Sequence, residues 1–176
     1  MLADEKDLIP LPDELTYTDG AQVACGFGTV YEGLDRIGID GRHDVLVVGL
    51  GPVGLAAMML AKAMGAQRIY GVDPAPERRH LALEMKLADK VFAPGPETLA
   101  ELKGLTGGHG VERAVDCSGS ADGRRLAIQA TRQWGRMVMI GEGGSVQFDP
   151  SPDIIHGQKT IYGSWVTSIW KMEELV

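Results

Sequence analysis

Three glycines and one acid carry the chemistry that this sequence offers most openly. Gly49, Gly51 and Gly54 stand in the spacing G-x-G-x-x-G within DVLVVGLGPVGL (44–55), and Asp73 follows 19 residues after Gly54, at the end of RIYGVD (68–73). Gly49 would make a tight turn, Gly51 would let the backbone come within contact distance of a phosphate, and Gly54 would let a helix lie close to its strand. The unpaired N–H groups at that helix start, with the helix dipole, favour a pyrophosphate. A carboxylate about 20 residues further on accepts ribose hydroxyls. Asp73 could instead cap the following helix; the strand-turn-helix-strand order favours the ribose.

Cys25 is the other residue with chemistry to offer, because a thiolate is a good zinc ligand. One cysteine does not make a site, since catalytic zinc takes about three protein ligands and an open position. The plainer expectation for Cys25 is a small buried side chain in a helix. His43, His80, His109 and His156 are scattered and form no metal-binding pair. Tyr-x-x-x-Lys and G-x-x-x-x-G-K-[ST] are both absent, which removes a Tyr–Lys catalytic pair and a phosphate-hydrolysing loop.

The elements that must position these residues follow from periodicity. Val45 to Val48 is an apolar run without polar alternation, as expected of a strand covered on both faces. Pro52 suits a first helical turn, and 53–64 is apolar almost all round. Further strands are expected at 68–73, 90–93, 112–117, 136–140 and 159–166, with helices at 77–87, 97–105 and 121–132. Upstream, 8–15 reads as an extended connector. Asp19 looks like an N-cap for a helix over 20–37, with a break near Gly26 to Gly28. Alternation of this kind predicts an α/β protein with a doubly wound, six-stranded parallel sheet in three αβα layers. The loops after 48, 73, 117 and 140 should line the cleft.

Size and composition narrow the function. The 176 residues support one domain with a real core, 44% hydrophobic and 23% charged. A net charge of -7 and the lack of any long basic cluster speak against nucleic acid. No apolar run approaches the roughly 20 residues that span a bilayer. The two cysteines form no disulfide framework, so a soluble, cytoplasmic protein is expected.

Taken together, DGAQVACGFGTVYEGL (19–34), VLVVGLGPVGL (45–55), IYGVDPAPERR (69–79), TGGHGVERAVDCSGS (106–120), GRMVMIGEGG (135–144) and KTIYGSWVTS (159–168) resemble the zinc-containing, medium-chain alcohol dehydrogenase family. The resemblance implies a Rossmann fold and an enzyme that oxidises alcohols or reduces carbonyls with NAD(P) and a catalytic zinc. It assigns Gly49, Gly51, Pro52 and Val53 to the pyrophosphate turn, Asp73 to the adenosine ribose and Arg78 to a place beside the adenosine. Cys117 and Ser118 fall near the adenine or ribose, and Thr29 near the nicotinamide. Ile140, Gly141 and Glu142, with Ser164 to Val166, match backbone segments that flank the nicotinamide. Cys25 matches the family's last catalytic-zinc cysteine.

Asp73 favours NAD over NADP, because a carboxylate repels a 2′-phosphate. The other zinc ligands and the structural zinc cysteines are not in this sequence. The chain therefore reads as residues 1–40, a connector and helical segment leading from a catalytic domain, and 41–176, the dinucleotide-binding domain of a longer dehydrogenase. It should bind NAD without turnover and contain no catalytic residue; zinc would belong only to the full-length parent. Two other readings remain, a zinc-free NADPH-dependent quinone or enoyl reductase relative and a non-catalytic nucleotide-binding module. The apolar segment 159–166, if it forms the sheet's edge, would pair with a second copy into a homodimer.

Overall fold

A computed structural model describes residues 2–176. A six-stranded, all-parallel sheet runs in the order β3-β2-β1-β4-β5-β6. The strands are β1 (Asp44–Val48), β2 (Arg68–Val72), β3 (Lys90–Phe92), β4 (Val111–Asp116), β5 (Thr131–Met139) and β6 (Thr160–Gly163). The order reverses between β1 and β4, which opens a crevice at the carboxyl ends of those two strands.

Because side chains alternate across a strand, each strand feeds two cores. Val45, Val47, Ile69, Val115 and Val138 face one side, where α2 (Gly28–Ile37), α3 (Pro52–Ala63) and α4 (Pro76–Glu84) cover them with Val30, Leu34, Ala57, Met58 and Ala82. Leu46, Val48, Tyr70, Val72, Ala114 and Met137 face the other, under α5 (Thr98–Leu105) and α6 (Ala121–Ala130). The doubly wound, three-layer fold expected from the sequence is the fold found.

Several local expectations are corrected. The first helical run starts earlier, with α1 (Tyr17–Gln22) capped by Thr16; Asp19 is the reciprocal partner in a capping box. The glycines at 26 and 28 do not break the chain. Val23–Phe27 instead forms a π-turn, and the Gly28 N–H donates to the Val23 carbonyl five residues back. β6 stops at Gly163, three residues short of Val166, which takes φ 51° and leaves the sheet. A helix not foreseen, α7 (Ile169–Leu175), then packs on α2, held by Lys171 to Asp35 at 3.2 Å and by the Tyr31 hydroxyl to Glu174 at 3.1 Å. β5 starts at Thr131 because Arg132 to Gly135 loop out between two pairings with β4, with Trp134 at φ 61°. No helix among the described residues is long and apolar enough to cross a membrane.

Candidate functional site

The turn between β1 and α3 is built from the glycines in three different ways. Gly49 has φ 89°, and a Cβ there would come within 2.7 Å of the Ser118 nitrogen, so the turn lies directly on the loop after β4. A Cβ on Gly54 would overlap the Gly49 carbonyl oxygen, so the helix can close on its own turn only without a side chain. Gly51 differs from both. It is the N-cap of α3 with φ -71°, and a Cβ there would meet nothing closer than the Arg78 guanidinium at 3.9 Å. The protein's own packing therefore does not require glycine at 51; the bare backbone faces open space at a twelve-residue helix's positive end.

Asp73 stands beside that opening. It is only 1% exposed, and its carboxylate is oriented from two sides: the Leu50 N–H donates to Oδ2 at 2.7 Å and the Ala75 N–H to Oδ1 at 2.8 Å. Arg78, with 55% of its side chain exposed, approaches Oδ2 at 3.5 Å. Arg79 points elsewhere and donates to the Asp73 and Pro74 carbonyls at 2.6 and 2.8 Å. A short acid at the end of β2 thus has each oxygen held by a backbone N–H, with the half-exposed Arg78 beside it.

These residues line a cavity of about 800 Å³. Gly49, Gly51, Asp73, Arg78, Cys117 and Ser118, all expected from the sequence, border it together. Its far wall was not foreseen: Pro94 and Leu99 after β3, and Asp122, Leu126 and Gln129 along α6. The positions 122, 126 and 129 share one helix face, a signal that i, i+4, i+7 spacing could have shown. The cavity's size and mixed lining suit a nucleoside with its phosphate.

The remaining expected residues lie outside the cavity. Pro52 and Val53 form the first turn of α3 just behind Gly51. Ile140, Gly141 and Glu142 follow β5, and Ser164 follows β6 with its N–H bonded to the Met139 carbonyl at 3.1 Å. The buried Ser164 hydroxyl has no hydrogen-bond partner. Thr29 lies one residue after Gly28, against which Thr167 packs, so the start of α2 meets the chain that leaves β6 through Val166.

Between these two groups sits a frame that sequence reasoning missed. Asp116, at the end of β4, is fully buried; its Oδ1 accepts from the Ser118 N–H at 3.0 Å and the Ser118 hydroxyl at 2.6 Å. Arg124 on α6 donates from Nε to Asp116 Oδ2 at 3.3 Å and from Nη2 to the Gly141 carbonyl at 2.6 Å. A Cβ on Gly119 would overlap the Glu142 carbonyl oxygen and one on Gly141 the Gly119 nitrogen, so the loops after β4 and β5 touch backbone to backbone.

The two cysteines behave differently from each other. Burial and the adjacent Asp116 carboxylate push the Cys117 thiol well above its ordinary range, so it is a neutral packing group. Cys25 is exposed, not buried as a helical cysteine was expected to be; it lies in the π-turn, where Phe27 is the side chain that packs against the core. Among the described residues no group of three or more His, Cys, Asp or Glu side chains could hold a metal ion.

Known proteins resemble this arrangement. The sequence profile described as zinc-binding dehydrogenase matches residues 52–176. The chain is 52% identical over 174 residues to an uncharacterized zinc-type alcohol dehydrogenase-like protein of Escherichia coli (strain K12), covering 99% of this chain and 49% of that protein. It is 33% identical over 162 residues to (R,R)-butanediol dehydrogenase of Bacillus subtilis (strain 168), covering 91% and 46% of the two. The crystal structure of 2R,3R-butanediol dehydrogenase from Bacillus subtilis matches the fold with a TM-score of 0.82 at 29% identity, over 94% of this chain and 48% of that one. The chain thus spans less than half the length of these curated relatives.

Proposed function

The chain belongs to the zinc-binding dehydrogenase family, whose cofactor-binding part it comprises, and we propose that it holds NAD across the carboxyl ends of the sheet. The observation that carries this reading is Gly51, bare without any internal need, at a helix start where an added Cβ would meet nothing closer than Arg78 at 3.9 Å, with the buried, oriented Asp73 carboxylate lining the same cavity. Pyrophosphate at the N–H groups of α3 and ribose at Asp73 would use every one of those features.

Asp73 supports NAD over NADP. Its carboxylate takes the place that a 2′-phosphate would need, and the two charges would repel. Arg78 already faces that carboxylate at 3.5 Å, so its charge is engaged before any phosphate arrives. The adenosine half would fill the cavity under Asp73. The other half would lie over Ile140 to Glu142 and Ser164 to Val166, with Thr29 alongside.

In a protein of the relatives' full length, this domain would serve hydride transfer between an alcohol or polyol and NAD. NAD when bound supplies the ring that takes or gives the hydride; this chain's residues bind it, orient it and keep water from its buried edge. Among the described residues no cluster of His, Cys, Asp or Glu could hold zinc, so the roles given to this chain's residues are those of cofactor binding. β6 is the sheet's edge, and pairing of its free side with a second copy would give a two-fold dimer.

Calorimetry with NAD and NADP tests the proposal. NAD should bind more tightly; failure of both to bind overturns the reading.

A further inference from the structure

We infer that Arg124 is a positioning residue for the second half of the bound dinucleotide, acting through Asp116; this rests on the NAD reading above. Asp116 is 0% exposed and the Arg124 side chain only 12%. A charge pair this deep is costly to desolvate, and the best-attested use of such a pair is to fix one geometry against its alternatives.

The geometry here is a bridge between two loops. The Arg124 fork touches Asp116 with Nε and the Gly141 carbonyl with Nη2, and so spans from the end of β4 to the end of β5. The Asp116 carbonyl in turn accepts the N–H groups of Ile140 and Gly141, both at 2.9 Å. On its other side, Asp116 Oδ1 fixes Ser118, whose backbone is the surface that Gly49 packs on. Glycine turn, Ser118, Asp116, Arg124 and Gly141 therefore form one connected path.

The strand order gives that path its meaning. Asp73 and its cavity lie on the β2 side of β1, and the loop at 140–144 lies over β5 on the other side. A dinucleotide crossing the switch point would place its two halves on either side of the bridge. Arg124 touches neither half; it sets the separation between the surfaces that receive them. A lysine at this place could reach Asp116 or the Gly141 carbonyl, but lacks the planar fork that reaches both.

The test compares 5′-AMP with NADH on the wild-type chain, Arg124→Met and Arg124→Lys, each checked for folding by circular dichroism. AMP affinity should stay within about twofold of wild type, while NADH affinity falls at least about tenfold in Arg124→Met and by less in Arg124→Lys. Unchanged NADH binding overturns the inference, and so does an equal loss for AMP and NADH, which would mark a purely structural pair. Should Arg124→Met fail to fold, Arg124→Lys carries the same comparison. A wild-type chain that binds neither ligand would instead remove the NAD reading itself.

Discussion

The Leu50 N–H donates to Asp73 Oδ2 at 2.7 Å across 23 residues of sequence. The acid expected to receive ribose hydroxyls therefore also ties the glycine turn to the end of β2. Replacing it should cost on both counts. Asp73→Ala leaves the buried Leu50 N–H without an acceptor and should lower unfolding free energy by about 1–3 kcal/mol in urea titrations. The same change should weaken NAD by more than about tenfold and erase the preference over NADP in calorimetry. Asp73→Asn keeps one acceptor oxygen, so it should recover part of the stability without the full preference.

The glycines separate folding from binding. Gly51→Ala should fold with an unchanged melting temperature, since its Cβ meets nothing within 3.4 Å and its φ of -71° suits alanine. Its NAD affinity should nevertheless fall by about tenfold or more, because the methyl group would occupy the place of a phosphate. Gly54→Ala, whose Cβ would overlap the Gly49 carbonyl, should lower the melting temperature instead. A Gly51→Ala chain that binds NAD as wild type does would count against the pyrophosphate assignment.

Thiol chemistry should distinguish the two cysteines. Iodoacetamide at pH 8 should label exposed Cys25 and spare Cys117 in the folded chain, as read by peptide mass spectrometry. The folded Cys117 thiol ionises at higher pH than an unfolded one, so its contribution to stability is whole below about pH 8.5 and is lost as pH rises beyond that. Cys117→Ala should flatten this alkaline decline.

Ser164 offers a stability test of a different kind. Its buried hydroxyl has no partner, so Ser164→Ala should raise the stability of the ligand-free chain by up to about 1 kcal/mol rather than reduce it. A loss of stability would show that the hydroxyl has found a partner in solution.

The free side of β6 predicts self-association. Light scattering at micromolar concentration should return twice the mass of one chain, and a monomeric mass would sink the edge-pairing proposal.

The legible parts of this molecule were those fixed by local rules. The unbroken apolar run of β1, the glycine turn and the acid at the end of β2 all announce themselves within a few residues, because each depends on its own backbone. The cavity's far wall and the Asp116–Arg124 bridge depend on loops from β4 and β5 that only the folded sheet brings together. Glycines misled once, at 26 and 28, where low helix propensity suggested a break. There Gly28 packs against Thr167 in the folded chain, and tertiary contact outweighs the propensity cost of about 1 kcal/mol. β6 ended early for a similar reason: its apolar residues continue to Val166, but after Ser164, whose N–H still bonds the Met139 carbonyl, the chain leaves the sheet and Trp165 and Val166 become exposed.

The π-turn at Val23–Phe27 acts as a phase slip. One surplus residue within an otherwise continuous coil advances everything before it by roughly 100° relative to everything after it. Downstream, Val30, Leu34 and Ile37 are locked into the core; upstream, α1 has no buried residue and turns a different side of the same rod, with Gly20 against Leu11. Deleting Gly26 would cancel the slip. The rod would then run in a single phase, and Tyr17, Gly20 and Cys25 would swing round the axis together while the core and the cleft at the carboxyl ends of the strands stayed where they are.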